Sequence, residues 1–206
     1  MELKYLADRL PSTTQLNCEM PTEDYFTTRR NSYTDLNEVY FWTITINSWR
    51  RLLKSDENKI IIVESLQWLV QRGLVKIYGY VIMPNHIHLI WEQLQMNGKE
   101  FPKNSFEKFT AKLFVNKMKA NKDPELKNYQ VKTWDRQHNI WQRDPLAIKI
   151  FNKEMAAQKL NYIHLNPMQS HWKLCNQPAE YRFSSASFYE HDINEFGLIT
   201  HFGEIF

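Results

Sequence analysis

Cysteine is nearly absent from the chain, with only Cys18 and Cys175 in 206 residues. They have no paired spacing, which excludes a disulfide framework and a four-thiolate zinc module. Two reduced thiols in a cytoplasmic protein are the expectation. Long apolar runs are lacking too. The longest strongly apolar stretch, Val39–Ile46, is broken by Thr43 and Thr45, far short of the length needed to span a bilayer. The first residues, Met1 to Asp8, lack a basic region followed by an apolar one, so no secretory signal is expected. Charge of one sign is scarce: the net charge is +3, too small to name nucleic acid as a partner. There is no internal repeat and no low-complexity tract.

What is present suits one folded domain. Apolar residues make up 43% of the chain, enough for a core without staples. Charge is concentrated locally. Seven lysines between Lys103 and Lys127 stand against Glu107, Asp123 and Glu125. Such a stripe either tracks phosphates or is a solvated helix face. Residues 1–36 are polar, with Pro11 and Pro21, and read as an irregular arm. A domain over 37–190 and a tail over 191–206 follow.

Val39–Ile46 is β-branched and aromatic, a strand pattern. A helix is predicted from Ser55 to about Arg72, with Ile61, Ile62, Leu66, Leu69 and Val70 on one face and Gly73 just past its end. Lys76–Met83 and His86–Glu92 read as strands joined by the turn Pro84-Asn85, hence as an antiparallel hairpin. A second helix is predicted over Asn104–Ala120, with Phe106, Phe109, Leu113 and Met118 inward. Gln130–Gln142 alternates and predicts one or two strands. A last helix is predicted from Leu146 to Leu165, stopped by Pro167. This order predicts an α+β fold with helices on an antiparallel sheet.

Two segments carry chemistry. On a strand, His86 and His88 share one face with Ile90 and Glu92. Two imidazoles one step apart can take adjacent positions on one metal ion, or can simply hydrogen-bond on a half-buried strand. A phosphodiesterase with two His-x-Thr/Ser motifs is excluded, because His86-Ile87-His88 is the one histidine motif present. In the last helix, Tyr162 and Asn166 are four apart and stack on one face, which the predicted helix shares with Ile148, Phe151 and Met155. His164 points to the far side. Tyr162 is then a reactive phenol or a core aromatic with a wet hydroxyl, and Asn166 a ligand or a helix cap.

Together these segments resemble a known family. Tyr80-Val-Ile-Met-Pro-Asn-His-Ile-His-Leu-Ile-Trp-Glu92 is similar to the HUH motif region of single-tyrosine HUH transposases, and Tyr162-Ile-His-Leu-Asn-Pro167 to their catalytic-helix motif. Trp141-Gln-Arg-Asp144 and Tyr181-Arg-Phe-Ser-Ser-Ala-Ser-Phe-Tyr189 resemble segments of the REP-associated tyrosine transposase branch. The likeness covers roughly residues 38–190. Met168-Gln169-Ser170 departs from the small apolar residue and glycine that relatives often carry there.

The resemblance implies an RRM/ferredoxin-like core with the histidines on a central strand and the tyrosine helix across from them. It implies Tyr162 as nucleophile, with His86, His88 and Asn166 holding a divalent ion, Mg2+ or Mn2+. The activity implied is single-strand DNA cleavage and strand transfer through a 5′-phosphotyrosine link, on hairpin or repeat DNA. Lys112, Lys119, Arg136 and Arg143 are candidate backbone contacts, and Trp134 and Trp141 candidate stacking surfaces. Each is equally readable as surface charge or core aromatic. A homodimer and a monomer are both compatible with the sequence. The rival readings are a non-catalytic hairpin DNA- or RNA-binding module on an RRM-like sheet, and a relaxase or replication initiator of the wider HUH group. The latter are longer chains, often with paired tyrosines.

Overall fold

The computed structural model describes residues 32–133 and 137–205. Four strands form one antiparallel sheet: β1 (Val39–Thr45), β2 (Val75–Ile82), β3 (His86–Gln93) and β4 (Leu146–Lys149), in the order β2-β3-β1-β4. Four α-helices accompany it: α1 (Asp56–Gln71), α2 (Pro102–Ala120), α3 (Lys153–Leu165) and α4 (Ala186–His191). The protein is an α+β sandwich, as its pattern of elements predicts.

The register fixes what each face carries. Thr45 lies opposite His86, Thr43 opposite His88 and Phe41 opposite Ile90, so these six residues share one face. Trp42, Ile44, Ile87, Leu89 and Trp91 point the other way. There Trp42 stacks on Trp91 at 5.0 Å and meets Phe106 of α2 edge-on. Both tryptophans are fully buried, and truncating either to alanine costs roughly 3–5 kcal/mol. Helices α1 and α2 cover this face; α3 lies on the opposite one.

Helix α3 comes close because of Gly79 on β2. A Cβ there would lie 2.6 Å from Leu160 Cδ1 and 3.1 Å from Ile163 Cδ1, so any larger residue would force these side chains to shift. The outer edge of β2 is covered by the chain after α3. The Ile82 amide donates to the Phe183 carbonyl and the Ser185 amide to the Tyr80 carbonyl. Further on, the Thr200 amide donates to the Ile77 carbonyl, and Leu198 is buried. Backbone groups that a bare edge would expose are thereby satisfied.

Three expectations are corrected. Gln130–Gln142 builds no regular strand among its described residues; it makes only isolated bridges, Gln130 with His138 and Ile46 with Trp141. The fourth strand is Leu146–Lys149, inside the segment predicted as helix. Helix α3 starts only at Lys153, where the Asn152 side chain accepts a hydrogen bond from the Met155 amide. Ile148 therefore lies on a strand and Phe151 is exposed, so neither belongs to the Tyr162 stripe. On α2 the inward line is Phe106, Thr110, Phe114 and Met118, while Phe109 faces solvent. The Thr110 hydroxyl can sit in this line because it donates to the Phe106 carbonyl and accepts from Trp141 Nε1.

Candidate active site

The site lies where β3 faces the last turn of α3. His86 and His88 are both buried, with ring centroids 4.6 Å apart. Each ring is held through Nδ1. His86 Nδ1 meets Asn85 Oδ1 at 2.6 Å, and the Asn85 amide nitrogen is turned toward the Trp49 carbonyl at 3.4 Å. That orientation leaves Asn85 Oδ1 as the acceptor, so the proton sits on Nδ1 and the Nε2 lone pair is free. His88 Nδ1 meets the Thr43 hydroxyl at 2.7 Å across the β1–β3 ladder. Burial pushes the His86 pKa down to about 4, with His171 nearby adding to the effect. Burial holds His88 well below the usual histidine range, with His86 and Lys159 contributing. Both rings are neutral at pH 7, the form in which imidazole binds metals.

Asn166 and Tyr162 arrive from the other side. Helix α3 docks on this face through Ala156, Leu160 and Ile163, which brings its C-terminal turn over His88. Asn166 caps the helix and is buried. Its side-chain amide lies 3.4 Å from His88 Nε2 and within hydrogen-bonding reach of His86 and Tyr162. Its Oδ1 is buried without a hydrogen-bond partner. Tyr162 is 46% exposed; its ring lies edge-on to His88 at 5.4 Å and to Phe41 at 6.0 Å. Burial raises the phenol pKa, and the Asn166 hydrogen bond pulls it back. Lys159, one turn earlier, lays its ammonium over the Phe41 ring.

This donor set fits a divalent ion. Among the described residues no group of three or more His, Cys, Asp or Glu side chains is placed to hold a metal, so the candidates are two imidazoles and an amide. A buried Asn166 oxygen without a donor, in a pocket that also holds the free His86 Nε2 lone pair, is an arrangement short of positive charge. Imidazole nitrogen suits Mn2+ and later metals, and the amide oxygen suits Mn2+ or Mg2+. The structure thus brings together, within one chain, the four residues the sequence singled out.

No protein-family model matches the chain, and no curated protein matches it significantly. Solved structures do. A REP-associated tyrosine transposase bound to a REP hairpin superposes with a TM-score of 0.53 at 21% identity, over 84% of this chain and 88% of that one. The fold is that of a REP-associated tyrosine transposase. A putative transposase from Deinococcus radiodurans R1 is also similar, with a TM-score of 0.40, 14% identity, and coverage of 66% of this chain and 94% of the other.

The expected DNA contacts fare less well than the four central residues. Trp141 is core: 5% exposed, it donates to Thr110 and packs against Phe106 and Phe114, so it offers no ring face to a base. Lys112 and Lys119 are exposed on α2, with the sheet between them and Tyr162. Arg143 is exposed just after Gln142, whose amide donates to the Thr45 carbonyl. That puts Arg143 at the His86 end of the sheet. Trp134 and Arg136 lie outside the described residues. His164, set aside from the sequence, is buried and bonds through Nε2 to the Ser185 hydroxyl, tying α3 to the β2 edge cover.

Two tryptophans beside His86 were not anticipated. Trp49 lies 6.4 Å from it and Trp172 6.1 Å, centroid to centroid. Trp49 is 55% exposed. Ser48 and Trp49 hold successive left-handed backbones, φ 57° and 56°, at roughly 1–2 kcal/mol each for residues with a side chain. Neither residue type in a polar loop announces such a conformation.

Proposed function

We propose that the protein is a transposase that cuts and rejoins single-stranded DNA, with Tyr162 as nucleophile. The observation that carries this reading is the convergence of Tyr162, His86, His88 and Asn166 between one strand and one helix turn. The half-exposed phenol lets a phosphodiester approach, while the buried imidazoles form the floor of the site. Hairpin or repeat DNA is the proposed substrate, in keeping with the fold's likeness to a transposase that binds a hairpin.

In the proposed reaction, Tyr162 Oη forms a bond to phosphorus and the bond from phosphorus to the 3′ oxygen breaks. The phenolic proton leaves to solvent and the departing 3′ oxygen takes up a proton. A 5′-phosphotyrosine and a free 3′-hydroxyl result. A second 3′-hydroxyl can reverse the exchange on another end, because the ester conserves bond energy. The raised Tyr162 pKa means that the phenol is protonated at neutral pH, so ionisation must be assisted. His86, His88 and Asn166 would hold Mg2+ or Mn2+, which supplies charge neutralisation at the phosphoryl oxygens. Asn85 and Thr43 orient the two imidazoles, and Asn166 also aligns the phenol.

The test mixes the protein with 5′- and 3′-labelled single-stranded hairpin pools, in Mn2+ or chelator, on denaturing gels. A covalent adduct on the 3′-labelled fragment that needs metal and vanishes in Tyr162→Phe is expected. Cleavage persisting in Tyr162→Phe overturns the nucleophile assignment. Hairpin binding without cleavage under any metal favours the non-catalytic module instead.

A further inference from the structure

We infer that Trp49 and Trp172 form a clamp that stacks a nucleobase of single-stranded DNA beside the scissile phosphate, an inference that rests on the function proposed above. Both indoles lie beside His86 at comparable distances, so a base stacked on them is next to the metal-ligand face. Trp49 presents its ring to solvent from a loop joining β1 to α1, and Trp172 follows the tyrosine helix. The two therefore approach His86 from different elements.

Three observations point to a nucleotide as the occupant. The first is exposure: Trp49 is more than half accessible although it stands beside the buried His86. An indole face open to solvent is a sequence-tolerant platform for a base. The second is charge. The Arg51 guanidinium lies 5.3 Å over the Trp172 ring, and His171 stands against the same indole. A guanidinium interleaved with aromatic rings suits a polyanion whose bases stack. The third is the backbone. Trp49 keeps its strained conformation through its amide, which donates to the Ile46 carbonyl, and its carbonyl, which accepts from Asn85. Strain retained at an exposed aromatic is characteristic of functional positions. Asn85 also holds His86, so the platform and the imidazole are fixed by one side chain.

The test uses the full chain carrying Tyr162→Phe, which removes covalent trapping, in chelator. Fluorescence anisotropy compares a short random-sequence single strand with an abasic strand of the same length. Trp49→Ala and Trp172→Ala are each expected to weaken binding of the base-bearing strand about 10-fold, the loss of one base stack. Affinity for the abasic strand should be unchanged. Trp49→Phe, which keeps a ring, should restore affinity to within about twofold, and Trp68→Ala on α1 should have no effect. Equal weakening on both strands, or no weakening in variants whose melting curves match the parent, overturns the clamp. If the parent binds neither strand, the single-stranded DNA reading itself falls. If it binds and the tryptophan variants behave like it, only the clamp does.

Discussion

Asn85 holds His86 in one tautomer: its Oδ1 accepts from His86 Nδ1 at 2.6 Å while its amide nitrogen faces the Trp49 carbonyl. Groups that orient a metal-binding imidazole through its other nitrogen typically contribute about 10–100-fold to metal affinity. Asn85→Ala is therefore expected to weaken Mn2+ binding by about that factor, read by calorimetric titration. Asn85→Asp keeps the acceptor and should retain affinity. Equal Mn2+ affinity in Asn85→Ala and the parent would show that the ring needs no such anchor.

The spacing between β2 and α3 is set at Gly79. Gly79→Ala puts a methyl 2.6 Å from Leu160 Cδ1 and should cost about 1–3 kcal/mol through overpacking. Adduct formation should fall further than stability accounts for, because α3 carries Tyr162. Trimming Leu160 to valine in the same chain should recover both. Gly73→Ala is the contrast. Gly73 has φ +64° and open space around it, so the substitution should cost about 1 kcal/mol and leave the adduct rate unchanged. Urea unfolding and adduct kinetics on the four proteins decide the matter.

Stability should depend on pH through Glu107. Burial lifts its carboxyl to about 7, and Lys103 pulls the other way. A folded-state pKa above the unfolded one means the folded chain holds the proton more tightly. The associated stability is present below about pH 4.5 and is lost as pH rises through about 7. Glu107→Gln keeps a neutral, hydrogen-bonding side chain, so it should stabilise the fold by about 1–3 kcal/mol at pH 8 and by much less at pH 4.5. Melting curves across that range would expose an error if the gain were the same at both ends.

The Ser185 hydroxyl joins three elements, accepting from the Tyr80 amide and meeting His164 Nε2 at 2.9 Å. Ser185→Ala leaves a buried amide and a buried imidazole without that partner. A loss of about 1–3 kcal/mol is expected, measured by urea unfolding. A neutral result would mean that solvent reaches this seam.

The hairpin of β2 and β3 was readable from the sequence because period-2 alternation and Pro84-Asn85 agree, and Ser55 and Gly73 mark the ends of α1 by cap chemistry. The four central residues were singled out because two short segments resemble the motifs of a known family; strand and helix geometry alone left them open between a site and a core. The boundary between β4 and α3 was not. Leu146-Ala-Ile-Lys is too short for its alternation to stand out from the helical periodicity beyond it, and the helix begins only after the Asn152 cap. In Gln130–Gln142, Ile140 and Trp141 are buried, yet the described residues pair only through isolated bridges. Burial and ladder pairing leave the same sequence trace. Which tryptophan is core and which is exposed is decided by tertiary contacts alone, so the sequence left Trp141 open between a stacking surface and a core aromatic and singled out neither Trp49 nor Trp172.

One sheet separates the Trp42–Trp91 core from the His86–Tyr162 side, and that division bears on how such a chain can change over time. Substitutions beneath α1 and α2 can be compensated among themselves, while those beneath α3 would also alter the site that the proposed reaction uses. Lineages descended from one ancestor could thus diverge widely in half of their interior and still keep the same chemistry.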